Sequence, residues 1–375
     1  MAVAPRTPPS KRDWSWRSQA FRGLLYQILA VALIGGAVWF LAHNTAENMR
    51  IRGIKSGFDF LWAPAGFDIG ESLFPFDSNN PYWKAFLIGV SNTLRVAIIG
   101  IILTTILGTL IGVGRFSRNG LLRGLCQAYV EFFRNVPVLL QLLMWYLLFT
   151  ELLPDITDAK HVGPFFLSKG GLSFPEPLWA TGHLTGVIGW GLGAVVAWFY
   201  RRWAQAKFEA TGQLRSMFWV PVAIVLACGA LGWVLGGAPF DFNMPKKGEF
   251  AIENGGSLTP EFMAVLLGLV LYTAAFVAEV VRSGISSVAR GQSEAAQALG
   301  LSKGQEMQKV LLPQALRVII PPMTSQFLNL TKNSSLAVAI GYPDVVSIAN
   351  TALNQTGRAV ECIAIIMLVY LTTSL

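Results

Sequence analysis

Charge is what this sequence has least of. Asp, Glu, Lys and Arg make up 13% of its 375 residues, where a soluble domain carries about 25%. Cysteine is nearly missing as well. Cys126, Cys228 and Cys362 are odd in number and all sit in apolar stretches. That excludes a disulfide framework or a cysteine-based metal cluster and leaves buried structural thiols. The dipeptide Gly-Lys occurs nowhere, so the chain has no phosphate-cradling GxxxxGK[ST] loop. HExxH and GxSxG are absent too, and His43, His161 and His183 lack metal-ligand spacing. The expectation is a chain that is not an enzyme, holds no cofactor or metal, and leaves any ATP chemistry to a partner.

Apolar sequence is abundant: 53% of residues are hydrophobic and the mean hydropathy is +0.50. The net charge of +8 would point to nucleic acid in a soluble protein. Here it reads as basic residues crowding the cytoplasmic loops of a membrane protein, with no nucleic-acid partner. A bilayer core of about 30 Å needs about 20 helical residues. Eight segments qualify, at about 23–42, 84–113, 122–150, 180–200, 216–237, 260–281, 314–332 and 358–375. The seventh holds Pro321 and Pro322 and is expected to kink. Gly23–Ala42 is too long for a signal-peptide core and reads as a retained first span. The last span runs to Leu375 without a basic tail, which reads as a helix cut short.

Lys and Arg set the expected topology. Lys11, Arg12, Arg17 and Arg22 precede the first span, and Arg115, Arg118 and Arg123 follow the second. Arg201, Arg202, Lys207 and Arg215 follow the fourth, and Arg282, Arg290, Lys303, Lys309 and Arg317 the sixth. The alternate loops are poorer, except 43–83 with Arg50, Arg52 and Lys55. Both termini are therefore expected in the cytoplasm. The outer loops 43–83 and 151–179 are rich in Pro, Gly, Phe and Asp and are expected to carry short interfacial helices.

The most informative stretch lies in the polar loop after the sixth span. It reads Glu294-Ala295-Ala296, three residues, Gly300, nine residues, Val310, one residue, Leu312-Pro313. Glu, Ala, Gln and Leu favour a helix over 292–299, which Gly300 ends by taking positive φ. Ser302 and Gln305 have capping-box spacing and start a second helix, and Pro313 marks where that one breaks or restarts. The first helix offers Ala295, Ala296, Ala298 and Leu299 as a small apolar surface, suited to another protein's groove.

At this spacing the chain resembles the permeases of the polar amino acid uptake family of ABC transporters. Two other stretches carry the resemblance, Tyr129–Gln141 (YVEFFRNVPVLLQ) and Lys332–Gly341 (KNSSLAVAIG), and Asn92–Ala97 resembles the start of that family's membrane domain. The likeness covers about 84–153 and 258–375. Between them lies an insert, 154–257, with two further spans, as in the larger general L-amino acid permeases of Gram-negative bacteria. The resemblance implies an all-α polytopic inner-membrane protein of about eight transmembrane helices: an importer-type ABC permease core with a two-helix insert. The expected divisions are a basic arm 1–22, a first helix and periplasmic loop 23–83, core parts 84–153 and 258–375, and the insert 154–257. It implies that Glu294, Ala295, Ala296, Gly300, Leu312 and Pro313, within a coupling loop 284–313, engage an ATPase subunit that binds ATP and Mg. A second, distinct permease would make a heterodimer, a periplasmic binding protein would deliver L-amino acids, and lipid would surround the helices. A secondary transporter working without an ATPase is the alternative, as is a membrane assembly protein; neither needs the coupling loop.

Ionisable groups inside a membrane default to functional hypotheses. Arg95, Glu131 and Arg134 are candidates for the route of a zwitterionic substrate, since guanidinium matches carboxylate and Glu supplies the opposite charge. Glu279 belongs to the same class but lies near the cytoplasmic end of its span. Glu131 and Arg134 are three apart and equally suit mutual neutralisation on one face; Arg95 equally suits snorkelling or an interhelical partner. Gln141, Gln326, Asn329 and Asn333 are uncharged candidates. The last three recur on one helical face, fitting either a polar route or a helix–helix seam.

Overall fold

The computed structural model describes residues 18–51, 53, 56–213, 215–248 and 251–375. Lys11, Arg12, Arg17, Arg52 and Lys55, and most of the expected basic arm 1–22, lie outside the described residues. The helices are α1 (Gln19–Ile51), α2 (Tyr82–Gly114), α3 (Gly120–Asn135), α4 (Val138–Leu147), α5 (Thr181–Thr211), α6 (Trp219–Leu235), α7 (Pro260–Ser286), α8 (Arg290–Ala298), α9 (Lys303–Glu306), α10 (Leu312–Asn333), α11 (Val345–Thr356) and α12 (Ala359–Ser374). Four helices, α1, α2, α5 and α7, are each long and apolar enough to cross a membrane. The number rises to six if the pairs Gly120–Asn135 with Val138–Leu152 and Lys303–Ile340 with Val345–Thr356 each count as one span. Helices α6 and α12 are apolar but shorter. The protein is thus multi-pass and largely helical.

Three local features depart from the sequence expectations. The segment expected as one span over 122–150 is broken: α3 and the stretch from Val138 meet at 103°. Pro137 is the cause. It disfavours helical backbone at Val136, which lies at φ −92°, ψ 126°. The outer segment 151–179 is not helical beyond its first turns. It forms strands β1 (Lys160–Val162), β2 (Phe165–Ser168), β3 (Gly171–Phe174) and β4 (Glu176–Pro177), so the fold is not purely α. The strands β5 (Phe242–Asn243), β6 (Lys246–Lys247), β7 (Ile252–Glu253) and β8 (Gly256–Leu258) follow α6, and β1-β2-β3-β8 form one antiparallel sheet. Gly171 at φ +107° allows the β2–β3 turn; a Cβ there would lie 2.0 Å from the Leu258 carbonyl oxygen. Pairing of Phe174 with Gly256 closes the base of the insert. Lastly, α10 runs helical through Pro321 and Pro322, and its helical stretch ends at Gly341, whose φ is +80°.

The chain divides into two compact units. One comprises the described residues up to Ile69, with Phe74–Gly89 and Val345–Leu375. In it, buried Arg358 donates to the Gly57 carbonyl and to Asp59, both at 3.0 Å, and the Gly57 amide donates to Glu361. Tyr82 donates to Gln355 at 2.6 Å.

The other unit, Gly70–Leu73 with Val90–Asp344, holds the principal core. Val96, Leu142, Phe262, Leu269, Leu330 and Tyr342 are all buried there. Helix α2 lies close on α7 through Gly108 and Gly112. A Cβ on the first would sit 2.6 Å from Val277, and on the second 2.8 Å from the Ala278 carbonyl oxygen. Close backbone approach through small residues is how helices associate where no hydrophobic effect drives them together. Gly268 admits Leu142 of α4 and Gly284 admits Ile319 of α10 in the same way.

Candidate functional site

The polar loop between α7 and α10 folds as a braced bracket. Helix α8 ends at Ala298 with Leu299 as its C-cap, and Gly300 takes φ +75°. The Leu301 amide donates to the Ala296 carbonyl at 3.1 Å and the Gly300 amide to the Gln297 carbonyl at 2.9 Å. This is a Schellman motif with Gly in the left-handed position. Ser302 then caps α9: its hydroxyl accepts from the Gln305 amide at 3.4 Å, and the Gln305 side chain accepts from the Ser302 amide at 3.0 Å. A π-helical turn over Met307–Leu311 leads into α10, whose first turn holds Pro313. The chain is helical on both sides of it, the Leu312 amide donating to the Met307 carbonyl, and the proline, which has no N–H to donate, sits where the wide π turn gives way to α-helix.

Two further contacts brace α8. Buried Glu306 accepts the Ser293 hydroxyl and, at 3.4 Å, the Gln297 amide group, joining α8 to the end of α9. Gln314 of α10 donates to the Gln292 side chain at 3.2 Å. Glu306 was not among the residues singled out in the sequence. Its only local signal is that it follows the capping-box Gln305 directly, in a loop whose other acidic residue, Glu294, is exposed.

The bracket presents Glu294, Ala295, Ala298 and Leu299 outward; Leu299 is 81% exposed. Ala296, expected on that surface, is 3% exposed and faces inward instead. Ala296 is three residues from Ser293, which is four from Gln297, and both of these bond buried Glu306, so Ala296 lies on the held side of the helix. Gly300, Leu312 and Pro313 are exposed.

The candidate substrate-route residues fall into separate places. Arg95 pairs with Glu71 at 2.6 Å and stacks 4.3 Å over the Phe262 ring. Glu71 also accepts the hydroxyl of Thr259, which caps α7 by accepting from the Phe262 amide at 3.1 Å. Asn92 donates to the Glu71 and Pro343 carbonyls at 2.8 and 2.9 Å. Burial pushes the Glu71 carboxyl above its ordinary value, against the opposing pulls of the Thr259 hydroxyl and the Arg95 guanidinium. Neither Glu71 nor Thr259 stood out in the sequence, because each lies in a loop outside the apolar runs.

Glu131 and Arg134 do not neutralise one another. Glu131 accepts from Gln127 at 2.9 Å, while Arg134 lies 3.9 Å from Glu279 and 5.3 Å from the Phe276 ring centroid. Arg115 and Arg282 both bind Glu279 at 2.5 Å, so one carboxylate gathers three guanidiniums: Arg282 from its own helix, Arg134 from α3, and Arg115 from just beyond α2. Gln141 is 1% exposed and donates to the Phe133 and Val136 carbonyls at 3.0 and 2.9 Å. It satisfies carbonyls freed by the break at Pro137. Gln326, Asn329 and Asn333 line one side of α10; Asn329 is exposed and the other two half-buried, and Lys332 is exposed beside Asn329.

No group of three or more His, Cys, Asp or Glu side chains among the described residues is arranged to hold a metal.

Residues 100–375 match the family described as binding-protein-dependent transport system inner membrane component. The chain is 45% identical to the general L-amino acid transport system permease protein AapQ of Rhizobium johnstonii, over 98% of this chain and 94% of that one. It is 42% identical to the putative amino-acid ABC transporter permease protein YhdX of Escherichia coli, over 100% of this chain and 95% of that one. It is 41% identical to the glutamate/glutamine/aspartate/asparagine transport system permease protein BztB of Rhodobacter capsulatus, over 95% of this chain and 91% of that one.

Proposed function

The chain belongs to the binding-protein-dependent transport system inner membrane component family and is the permease subunit of an ABC-type amino-acid importer; we propose that α8 is the lever by which a separate ATPase drives it. The observation that carries this reading is the bracket itself. It holds an exposed, small-residue helix clear of the spans while Glu306, Gln314 and the Gly300 turn fix its orientation. A helix that is exposed on one face and braced on the other transmits a push without bending. Glu294, Ala295, Ala298, Leu299 and Gly300 form the docking face, Ala296 packs it to the bracket, and Leu312 and Pro313 join it to α10. ATP and Mg belong to the ATPase. Binding of the loaded binding protein outside and binding of ATP inside are linked reciprocally, each raising the affinity for the other.

The fuller architecture has eight spans, the six above with α6 and α12, and places both termini in the cytoplasm of a bacterial inner membrane. The core is 84–153 and 258–375, with 154–257 as the insert. A second permease faces the polar side of α10, where an unpaired polar stripe in hydrocarbon would be costly. Between the two, Gln326, Asn329 and Asn333 offer amide donors and acceptors to a zwitterionic amino acid, and Lys332 offers a cation for its carboxylate. Arg95 and Gln141 hold structure around that route through Glu71 and the α3–α4 break, and Glu131 and Arg134 on α3 bond Gln127 and lie near Glu279, respectively.

The test is purification of the tagged chain from its native membrane in mild detergent. An ATPase and a second permease are expected with it, and the joint Glu294→Ala, Gly300→Val variant is expected to keep the permease and lose the ATPase. A wild-type chain that transports with no ATPase attached would overturn the reading.

A further inference from the structure

The insert carries a cleft and a group of cations apart from the proposed coupling helix and substrate route. Helices α5 and α6 form a hairpin zipped by small residues. A Cβ at Gly189 would lie 2.4 Å from the Cys228 carbonyl oxygen, and one at Gly193 would lie 2.9 Å from the Val225 Cα. Such close backbones push the large side chains to the hairpin's flanks. Toward the C-terminal end of α5 a lateral cleft of about 460 Å³ opens between the two helices. Its walls include Ala194, Ala197, Val222, Val225 and Leu226, and Arg201 stands at it as the charged lining residue.

The cations at this end are oriented by aromatic rings. Arg202 stacks 4.2 Å over Trp198, while Lys207 and Arg215 lie 5.1 and 4.9 Å from the Trp203 ring centroid. None of Arg201, Arg202, Lys207 and Arg215 takes part in an ion pair among the described residues. The nearby Glu209 accepts from Gln205 instead. Trp and Arg together mark the depth of the headgroups, and a cationic pocket between helices is a headgroup site when an apolar slot continues below it.

We infer that the hairpin binds an anionic phospholipid, with its phosphate on Arg201 and Arg202 and one acyl chain in the cleft between α5 and α6. The two halves of the site demand an amphiphile. A soluble anion satisfies the guanidiniums and leaves the cleft empty. An apolar helix fills the cleft and leaves Arg201 without a counter-charge. A zwitterionic lipid supplies a phosphate but sets its own ammonium against four cations. Lipid retention and amino-acid uptake are read separately, so this site stands or falls apart from the coupling helix and the substrate route.

The full transporter, purified in detergent, is titrated with phosphatidylglycerol and with phosphatidylcholine, and bound lipid is counted by native mass spectrometry. Wild type is expected to retain phosphatidylglycerol at least fivefold over phosphatidylcholine. Arg201→Gln with Arg202→Gln is expected to bring that ratio near one, and Lys246→Gln, a charge change in an outer strand, to leave it unchanged. Ala194→Trp fills the cleft without altering charge and is expected to lower retention of both lipids. Equal retention of the two lipids by wild type overturns the inference. So does a preference that survives the double arginine change, or full retention in Ala194→Trp.

Discussion

Ser293 donates its hydroxyl to the buried carboxylate of Glu306, thirteen residues along the chain, and so fixes α8 to the element after it. Neither residue reaches the exposed face. In the proposed lever they keep that face at a fixed angle, so a push on Leu299 would reach α10 and not be absorbed in the loop.

Glu306→Ala is expected to lower binding-protein-stimulated ATP hydrolysis by about tenfold, since two donors lose a buried acceptor at about 1–3 kcal/mol. Glu306→Gln keeps an acceptor for Ser293 and should retain more of the stimulation. Basal hydrolysis by the ATPase should be the same in both. A Gln variant as uncoupled as the Ala variant would remove Glu306 from the bracket.

Gly300 sits at φ +75°, and a Cβ added there would meet nothing within 4 Å, so the constraint is backbone conformation and not space. Asn tolerates the left-handed region and a β-branched residue does not. Uptake is expected to fall mildly in Gly300→Asn and severely in Gly300→Val, with both proteins present in the membrane at wild-type amounts. Equal uptake in the two would mean that the turn is dispensable.

The pair Arg95–Glu71 sets a pH dependence. Burial raises the Glu71 carboxyl above its ordinary 4.5, so the folded state holds that proton more tightly than the unfolded state does. Its contribution to stability is complete below the unfolded value and is lost as pH rises through the folded one. Glu71→Gln has no proton to lose. Its thermal midpoint in detergent is expected to fall less than that of wild type between about pH 4 and pH 7. Parallel curves would count against a raised carboxyl at this site.

Glu279 separates its cations by burial. Arg115 is 15% exposed and 2.5 Å away, whereas Arg134 is 41% exposed and 3.9 Å away. Arg115→Ala is expected to cost about 2 kcal/mol and Arg134→Ala about 0–1 kcal/mol, read from denaturation in mixed micelles. The reverse order would place Arg134 at the centre of the cluster.

What was legible in the sequence was local. Hydrophobic run length marked the four long apolar helices α1, α2, α5 and α7, and Gly300 with the Ser302–Gln305 box marked both sides of the turn between α8 and α9, because helix caps are settled by sterics and hydrogen bonds within a few residues. Pro137 also carried its signal, although the apolar run around it concealed the 103° break. The apolar residues Phe165–Leu167, Leu172 and Phe174 made too short a pattern to announce strands whose last partner, β8, lies beyond the two insert helices.

The sequence by itself determined that this chain crosses a membrane, where its long apolar runs lie, and the shape of the loop proposed to meet the ATPase. Only the tertiary structure decided which charge answers which. Arg95 finds Glu71, Arg115 finds Glu279 across 164 residues, and Glu131 and Arg134 part company. The reason is that an ion pair inside a membrane forms wherever packing brings partners together. That packing is set by the shallow faces at Gly108, Gly112, Gly268 and Gly284, whose contacts no spacing along the chain reveals.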